Sequence, residues 1–305
     1  MDAKERLGFI GMGQMGRRMA SRLVEAGYPL AVYNRTAEKT KPLAEKRAAV
    51  AESPRELAAA SEIVLSSLAD DRAVEEALLG PDGALDGARP GTVFIEMSTI
   101  SPKSSRRLFE AAKAKGCPLL DAPVSGSTPQ AEEGSLTIFV GGAAETYEYG
   151  APLFNVLGKK HFYLGESGSG ATMKLVVNVL LGVGMQAIAE AIALREKSGL
   201  HKGALIDVLR ETAVISPGHK MKLENARGEN YPATFPLRLM LKDYRLILNQ
   251  AAECSVPMPT TAVSQALCSA EEARGMEEDY SAVIRLMEEL SGYEAAAEAR
   301  HAAIH

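Results

Sequence analysis

The 305-residue chain has no tryptophan, three cysteines and five histidines, and aromatic residues make up only 5% of it. Each scarcity removes a class of function. Cys117, Cys254 and Cys268 are odd in number and scattered, with no C-x-x-C or Cys/His ligand spacing. Neither a disulfide framework nor a metal site is expected, and a cytoplasmic location suits the chain better than secretion. Charge of one sign is also missing. The net charge is -5, and basic clusters are no longer than Arg17-Arg18 and Lys159-Lys160-His161. A nucleic-acid surface needs a basic face, so no nucleic-acid partner is expected. The first residues, MDAKERLGFIG, carry charges where a signal peptide needs an apolar core. One run, Leu175 to Leu194, has the length of a membrane span. It contains Asn178, Gln186 and Glu190, each costly in hydrocarbon, so it reads as a helix buried between protein surfaces rather than in a membrane.

What is present is an ordered alternation. Short apolar runs at Leu7–Ile10, Leu30–Tyr33, Ile63–Ser67, Val93–Glu96 and Pro118–Asp121 read as strands. Helical patterns separate them, at about Gln14–Ala26, Pro54–Ala60, Arg72–Leu79 and Lys103–Lys115. Two more strand candidates follow, Leu136–Val140 and His161–Leu164. Such alternation predicts an α/β doubly wound parallel sheet of the Rossmann type. After Gly165 the strand-like runs stop. A glycine- and serine-rich joint, Gly165 to Gly170, leads into helical periodicity with breaks near Gly199, Pro217, Pro232 and Pro257 to Pro259. The expected domains are therefore 1–164, nucleotide-binding, and 165–305, all-helical. Glu294 to His305 reads as a surface helix or frayed tail.

The first strand ends in LGFIGMGQMG, which holds G-x-G-x-x-G at Gly11, Gly13 and Gly16. Alone the pattern is weak. Between a strand and a helix it is the dinucleotide-binding signature. Gly11 permits the tight turn, Gly13 lets backbone approach a pyrophosphate, and Gly16 lets the helix pack on the strand. The loop residues Gly11, Met12, Gly13, Gln14, Met15 and Gly16 then offer N–H groups at a helix N-terminus to phosphate. The second strand ends in Asn34-Arg35-Thr36, where an NAD site usually has a carboxylate for the ribose 2′-hydroxyl. Without that carboxylate, the Arg35 guanidinium can bind a 2′-phosphate and Thr36 can add a hydrogen bond. NADP(H) is expected in preference to NAD(H).

The joint and the following helix read GSGATMKLVVN. Lys174 and Asn178 are four residues apart and share one helix face. An ammonium opening an apolar helix is poorly solvated, which favours the neutral amine and suits acid–base work. A lysine snorkelling to solvent fits the same spacing, and spacing alone does not choose.

Four motifs in order resemble the β-hydroxyacid dehydrogenase family, across about residues 7 to 290. They are Gly8 to Gly16; Asp121 to Ser127, DAPVSGS, with Gly134-Ser135-Leu136 and Gly141-Gly142 downstream; Gly168 to Asn178; and Phe235 to Asp243, FPLRLMLKD. The family includes 3-hydroxyisobutyrate dehydrogenase, tartronate semialdehyde reductase and the glyoxylate/succinic semialdehyde reductases, with 6-phosphogluconate dehydrogenase as a distant relative. The resemblance implies hydride transfer between nicotinamide and a small hydroxy acid or its semialdehyde. It makes Lys174 the proton donor and acceptor, and Asn178 the residue that holds substrate beside it. It places the substrate carboxylate on Ser125, Gly126 and Ser127, a turn suited to anions, with Phe235 lining the cleft. It assigns Leu68, Ala69, Thr99 and Lys242 to the cofactor. It also implies a homodimer or homotetramer.

The chain departs from the family's common S-G-G-x-x-G-A loop, with Ser127 in place of the second glycine and Thr128-Pro129-Gln130 after it. That version, like Asn34-Arg35-Thr36, resembles the glyoxylate/succinic semialdehyde reductase branch and puts 3-hydroxyisobutyrate in doubt as substrate. Two other readings compete. Imine reductases share the fold but generally replace the lysine. Non-catalytic relatives acting as nucleotide-binding or chromatin modules lose it too. Retention of Lys174 and Asn178 favours the enzyme. The histidines lie outside the motifs, which argues against the histidine relay of lactate-type dehydrogenases.

Overall fold

The computed structural model describes residues 4–273 and 277–292. Strands β1 (Leu7–Ile10), β2 (Leu30–Tyr33), β3 (Ala49–Val50), β4 (Ile63–Ser66), β5 (Val93–Glu96) and β6 (Leu119–Asp121) form one sheet. Their order is β3-β2-β1-β4-β5-β6 and every pairing is parallel. Alternation along each strand divides the core in two. Leu7, Phe9, Ile63, Leu65, Val93, Ile95 and Leu120 face one cluster. Ile10, Val64, Phe94 and Leu119 face the other. Period-two burial on both faces is what a sheet covered by helices on each side requires. The strand order reverses between β1 and β4, which places a crevice beyond their C-terminal ends.

Three helix starts share one device. Ser53, Ser101 and Ser216 accept hydrogen bonds from the N–H three residues on, and a proline follows each as the first helical residue. The serine satisfies an orphan donor, and proline's fixed φ suits a position with no hydrogen bond to lose. Asp70 caps the helix Asp71–Leu79 in the same way. A second sheet joins β7 (Val124–Ser125), β8 (Leu136–Val140) and β9 (Gly158–Tyr163), with β7–β8 antiparallel and β8–β9 parallel.

The helix Ser169–Lys197 follows, then Lys202–Glu211, Pro217–Gly228, Leu237–Glu253, Pro259–Glu272 and Val283–Leu290. No strand occurs after β9 among the described residues. The sequence's breaks at Gly199, Pro217 and Pro257 to Pro259 fall at helix ends. The chain divides into compact units at Leu175/Val176, eleven residues beyond the expected boundary at 164/165. The reason is local: the N–H groups of Gly168 and Ala171 bond to Asp121 in β6, so the helix start packs with the first unit. Ser169–Arg195 is long and apolar enough to cross a membrane by length and composition, but its polar Asn178 and Gln186 are buried within the protein. The expected tail helix from Glu294 to His305 lies outside the described residues.

Candidate active site

The nucleotide loop joins β1 to the helix Gly16–Glu25. Its three glycines do different things. Gly11 has φ +100°, and a Cβ there would lie 2.3 Å from the Ser67 carbonyl oxygen. A Cβ on Gly16 would lie 1.9 Å from the Gly11 carbonyl oxygen, which nothing but glycine permits. A Cβ on Gly13 would meet nothing within 4 Å. Gly11 and Gly16 are demanded by the fold, whereas Gly13 leaves open space where backbone can approach a ligand. Among the described residues no side chain caps the helix. Arg17 N and Arg18 N bond to the Gly13 and Met15 carbonyls, and the positive end of the helix dipole still faces the loop, where an anion is favoured. The cradle fits a dinucleotide pyrophosphate.

Six other expected cofactor residues follow strands of the same sheet edge, while Lys242 lies on the helix Leu237–Glu253. Asn34, Arg35 and Thr36 follow β2, Leu68 and Ala69 follow β4, and Thr99 follows β5. Arg35 and Thr36 are exposed and Leu68 is half-buried. Asn34 proves to be a clip. Its Oδ1 accepts from Met12 N at 2.9 Å, and its Nδ2 donates to the Thr36 carbonyl at 2.9 Å. It thereby ties the glycine loop to the turn that carries Arg35.

Beneath these loops lies Glu96, which sequence reasoning missed. It is 1% exposed at the end of β5. Ser66 Oγ donates to Oε2, Ser98 N donates to Oε1 at 2.6 Å, and Ser98 Oγ accepts from Leu68 N at 2.7 Å. Burial pushes its carboxyl up to about 7, against the Ser66 and Ser98 hydrogen bonds, and the neighbouring Asp121 carboxylate adds to the rise. Glu96 thus holds the turns after β4 and β5 in register.

In the substrate loop, Ser125 and Gly126 lie at the end of β7, and Ser127 opens the short helix Thr128–Glu133. Gln130 accepts from both Ser127 N, at 2.9 Å, and Ser127 Oγ, at 2.8 Å. The donors expected from Ser127 for an anion are therefore committed within the loop. The serine-x-x-glutamine spacing, a capping signature, was the available signal.

Lys174 is half-buried on the long helix, one turn before Asn178. Asn178 is 1% exposed. Its Nδ2 donates to Asp243 Oδ2 at 2.6 Å, which fixes the amide orientation, because a carboxylate only accepts. The buried Asn178 Oδ1 has no hydrogen-bond partner among the described residues. Lys242 Nζ lies 2.9 Å from Asp243 Oδ1. The second unit therefore brings Asn178 and Lys242 together through Asp243, a residue whose role the sequence did not reveal. Phe235 comes just before the helix Leu237–Glu253 that carries Lys242 and Asp243. Its N–H donates to Asp279 Oδ2 at 2.9 Å, and its ring packs edge-on against Tyr280 at 5.5 Å.

Residues 6–165 match the family model described as the NAD binding domain of 6-phosphogluconate dehydrogenase. Residues 168–287 match the one described as NAD-binding of NADP-dependent 3-hydroxyisobutyrate dehydrogenase. The chain is similar to glyoxylate/succinic semialdehyde reductase 2 of Arabidopsis thaliana, at 37% identity over 95% of this chain and 81% of that one. The chain belongs to the β-hydroxyacid dehydrogenase family. It is similar also to 2-(hydroxymethyl)glutarate dehydrogenase of Eubacterium barkeri, at 34% identity over 96% of this chain and 98% of that one. Its fold matches the structure of 3-hydroxyisobutyrate dehydrogenase of Mycobacterium tuberculosis with L-serine. The TM-score is 0.85 and the identity 29%, over 93% of this chain and 99% of that one. As a member of this family, the protein is an oxidoreductase that uses a nicotinamide dinucleotide.

Proposed function

We propose that the protein interconverts a small β- or γ-hydroxy acid and its semialdehyde, or glycolate and glyoxylate, with NADP(H) as cofactor and Lys174 as general acid and base. The observation that carries this reading is the amide of Asn178. Its orientation is fixed by Asp243, and its buried Oδ1, one helical turn from Lys174, has no hydrogen-bond partner among the described residues. A buried acceptor left unmade costs about 1–3 kcal/mol, a cost that a bound hydroxyl or protonated amine would remove. The names of the Arabidopsis and Eubacterium relatives support the substrate class.

Bound NADPH supplies the hydride for the carbonyl carbon. Lys174 donates a proton to the oxygen of the forming alkoxide, and its ammonium stabilises the developing negative charge. In the reverse direction the neutral amine takes the hydroxyl proton. Asn178 orients the reacting oxygen. Ser125 and Gly126 bind the substrate carboxylate, because the donors of Ser127 belong to Gln130. The glycine loop holds the pyrophosphate, and exposed Arg35 and Thr36 bind the 2′-phosphate. Val176, Leu180 and Leu194, exposed apolar side chains of the long helix, support a homodimer or homotetramer.

The test is the initial rate of NADPH oxidation with succinic semialdehyde and with glyoxylate, beside NADP+ reduction with 3-hydroxyisobutyrate, for wild type and Lys174→Ala. Turnover on at least one aldehyde acid is expected, with kcat lower by about 100-fold or more in the variant. Turnover that survives the variant removes Lys174 from the mechanism. NADPH binding without turnover on any of the three removes the substrate class.

A further inference from the structure

We propose that Asp121 is a positioning residue for the proton transfer, seating the helix that carries Lys174 on the same sheet edge that carries the cofactor loops. The proposal rests on the assignment of Lys174 as the acid–base group.

Asp121 ends β6 and is 1% exposed. A carboxylate is buried at a cost unless fixed donors surround it. Here Oδ1 accepts from Gly168 N and Oδ2 from Ala171 N, each at 2.8 Å. One side chain therefore grips the residue before the helix and a residue in its first turn. Lys174 comes three residues after Ala171, about one turn further along. The socket is close-fitting. A Cβ on Gly141 would lie 2.7 Å from Asp121 Oδ1, and one on Gly170 would lie 2.9 Å from Oδ2.

Helix capping alone does not account for this arrangement. Ser53, Asp70, Ser101 and Ser216 cap their helices from the adjacent position in the chain. The Lys174 helix is instead held from a strand 47 and 50 residues away. Ser167, two residues before that helix, keeps its buried hydroxyl without a hydrogen-bond partner among the described residues. A local cap stabilises a helix end, whereas a cap from the sheet also fixes where that end stands. Asp121 is the register partner of Glu96, and Glu96 holds Ser98, which holds Leu68 N. A continuous path of backbone pairing and buried hydrogen bonds thus runs from the cofactor loops to the turn before Lys174. It fixes the amine's height above the sheet edge.

Asp121→Asn tests this with little change in volume. The amide offers one acceptor oxygen in place of two and turns an NH2 towards an N–H donor. The readout is the single-turnover rate constant of NADPH oxidation at saturating aldehyde acid. That constant does not depend on the fraction of folded enzyme, so a merely structural loss lowers the amplitude and leaves the rate unchanged. The expected result is a rate constant about 10- to 100-fold lower, with the NADPH dissociation constant within about twofold of wild type. In a Lys174→Ala background the same substitution should slow the reaction by less than about twofold. If Asp121→Asn does not accumulate as NADPH-binding protein, Asp121→Ser, which keeps one acceptor and removes bulk, is read in the same way. An unchanged rate constant in Asp121→Asn beside a slow Lys174→Ala would overturn the proposal alone. Equal slowing in both backgrounds would also overturn it. A Lys174→Ala enzyme as fast as wild type would overturn both the proposal and the assignment of Lys174.

Discussion

Replacing Glu96 by glutamine should flatten a fall in stability that the wild-type protein undergoes between about pH 5 and pH 7. The carboxyl is buried, and its pKa is raised from 4.5 to about 7. In that window the folded protein keeps a proton that the unfolded chain releases. Stability therefore declines as pH rises and levels off above about 7, where both states are ionised. The span from 4.5 to about 7, at about 1.4 kcal/mol per pH unit, is worth about 3 kcal/mol. Glutamine imitates the protonated acid. Its oxygen can accept from Ser98 N and its NH2 can donate to Ser66 Oγ, so the network is kept while the titration is removed. Asp121, which burial also pushes up, remains in the variant. With the Glu96 charge gone it has less repulsion to resist, which flattens the profile further. Urea unfolding of both proteins at pH 5, 6, 7 and 8 provides the assay. Between pH 5 and pH 7 the wild type should lose about 2 kcal/mol of that total relative to Glu96→Gln. Curves parallel to within about 0.5 kcal/mol, a usual additivity error, would mean that Glu96 is ionised throughout and that its hydrogen bonds outweigh burial.

The glycine loop predicts a separation of stability from binding. Gly13→Ala should leave unfolding unchanged or raise stability slightly, as removal of a flexible glycine does, while weakening NADPH binding at least about tenfold, or about 1.4 kcal/mol. Gly16→Ala should destabilise by about 1–3 kcal/mol through its clash with the Gly11 carbonyl. Thermal melts and NADPH fluorescence titrations of both variants check this, and the opposite pattern would refute the division of roles. Arg35→Asp should raise the Michaelis constant for NADPH about 10- to 100-fold, the loss of a charge-assisted contact of about 1.5–3 kcal/mol, with little effect on NADH. An unchanged constant would remove Arg35 from the 2′-phosphate site.

The sheet was legible where strands are buried and apolar. Leu7–Ile10, Leu30–Tyr33, Val93–Glu96 and Leu136–Val140 agree with the structure residue for residue. The two-residue strands β3 and β7 were not seen, because two residues carry no periodicity. Strand β9 begins at Gly158, earlier than expected from His161, because Lys159 and Lys160 lie exposed on an edge and leave no apolar trace. The glycine cradle was legible because all its contacts are local. Asn34 is expected among the cofactor-binding residues, and in the structure its amide bonds the glycine loop to the neighbouring turn. A side chain that can serve ligand or backbone leaves both choices open in a sequence.

The residues that sequence reasoning missed have a common physical character. Glu96, Asp121 and Asp243 are carboxylates 1% exposed, with partners on strands or helices far along the chain. Asn178 and Asp243 are 65 residues apart, and Ser66 and Glu96 are 30 apart. Such pairings leave no spacing signal. Each carboxylate stands directly behind groups that the family resemblance does identify. Glu96 stands behind Leu68 and the turn to Thr99, Asp121 behind the helix start of Lys174, and Asp243 behind Asn178 and Lys242. A buried carboxylate only accepts, so it survives folding only where donors converge on it from fixed directions. That requirement suits it to holding a loop or helix end in place, because any displacement leaves a buried polar group without its partners. Resemblance therefore finds the atoms that face a ligand. Burial and hydrogen bonding find the atoms that keep them there, and a site loosened by about 1 Å loses much of its rate.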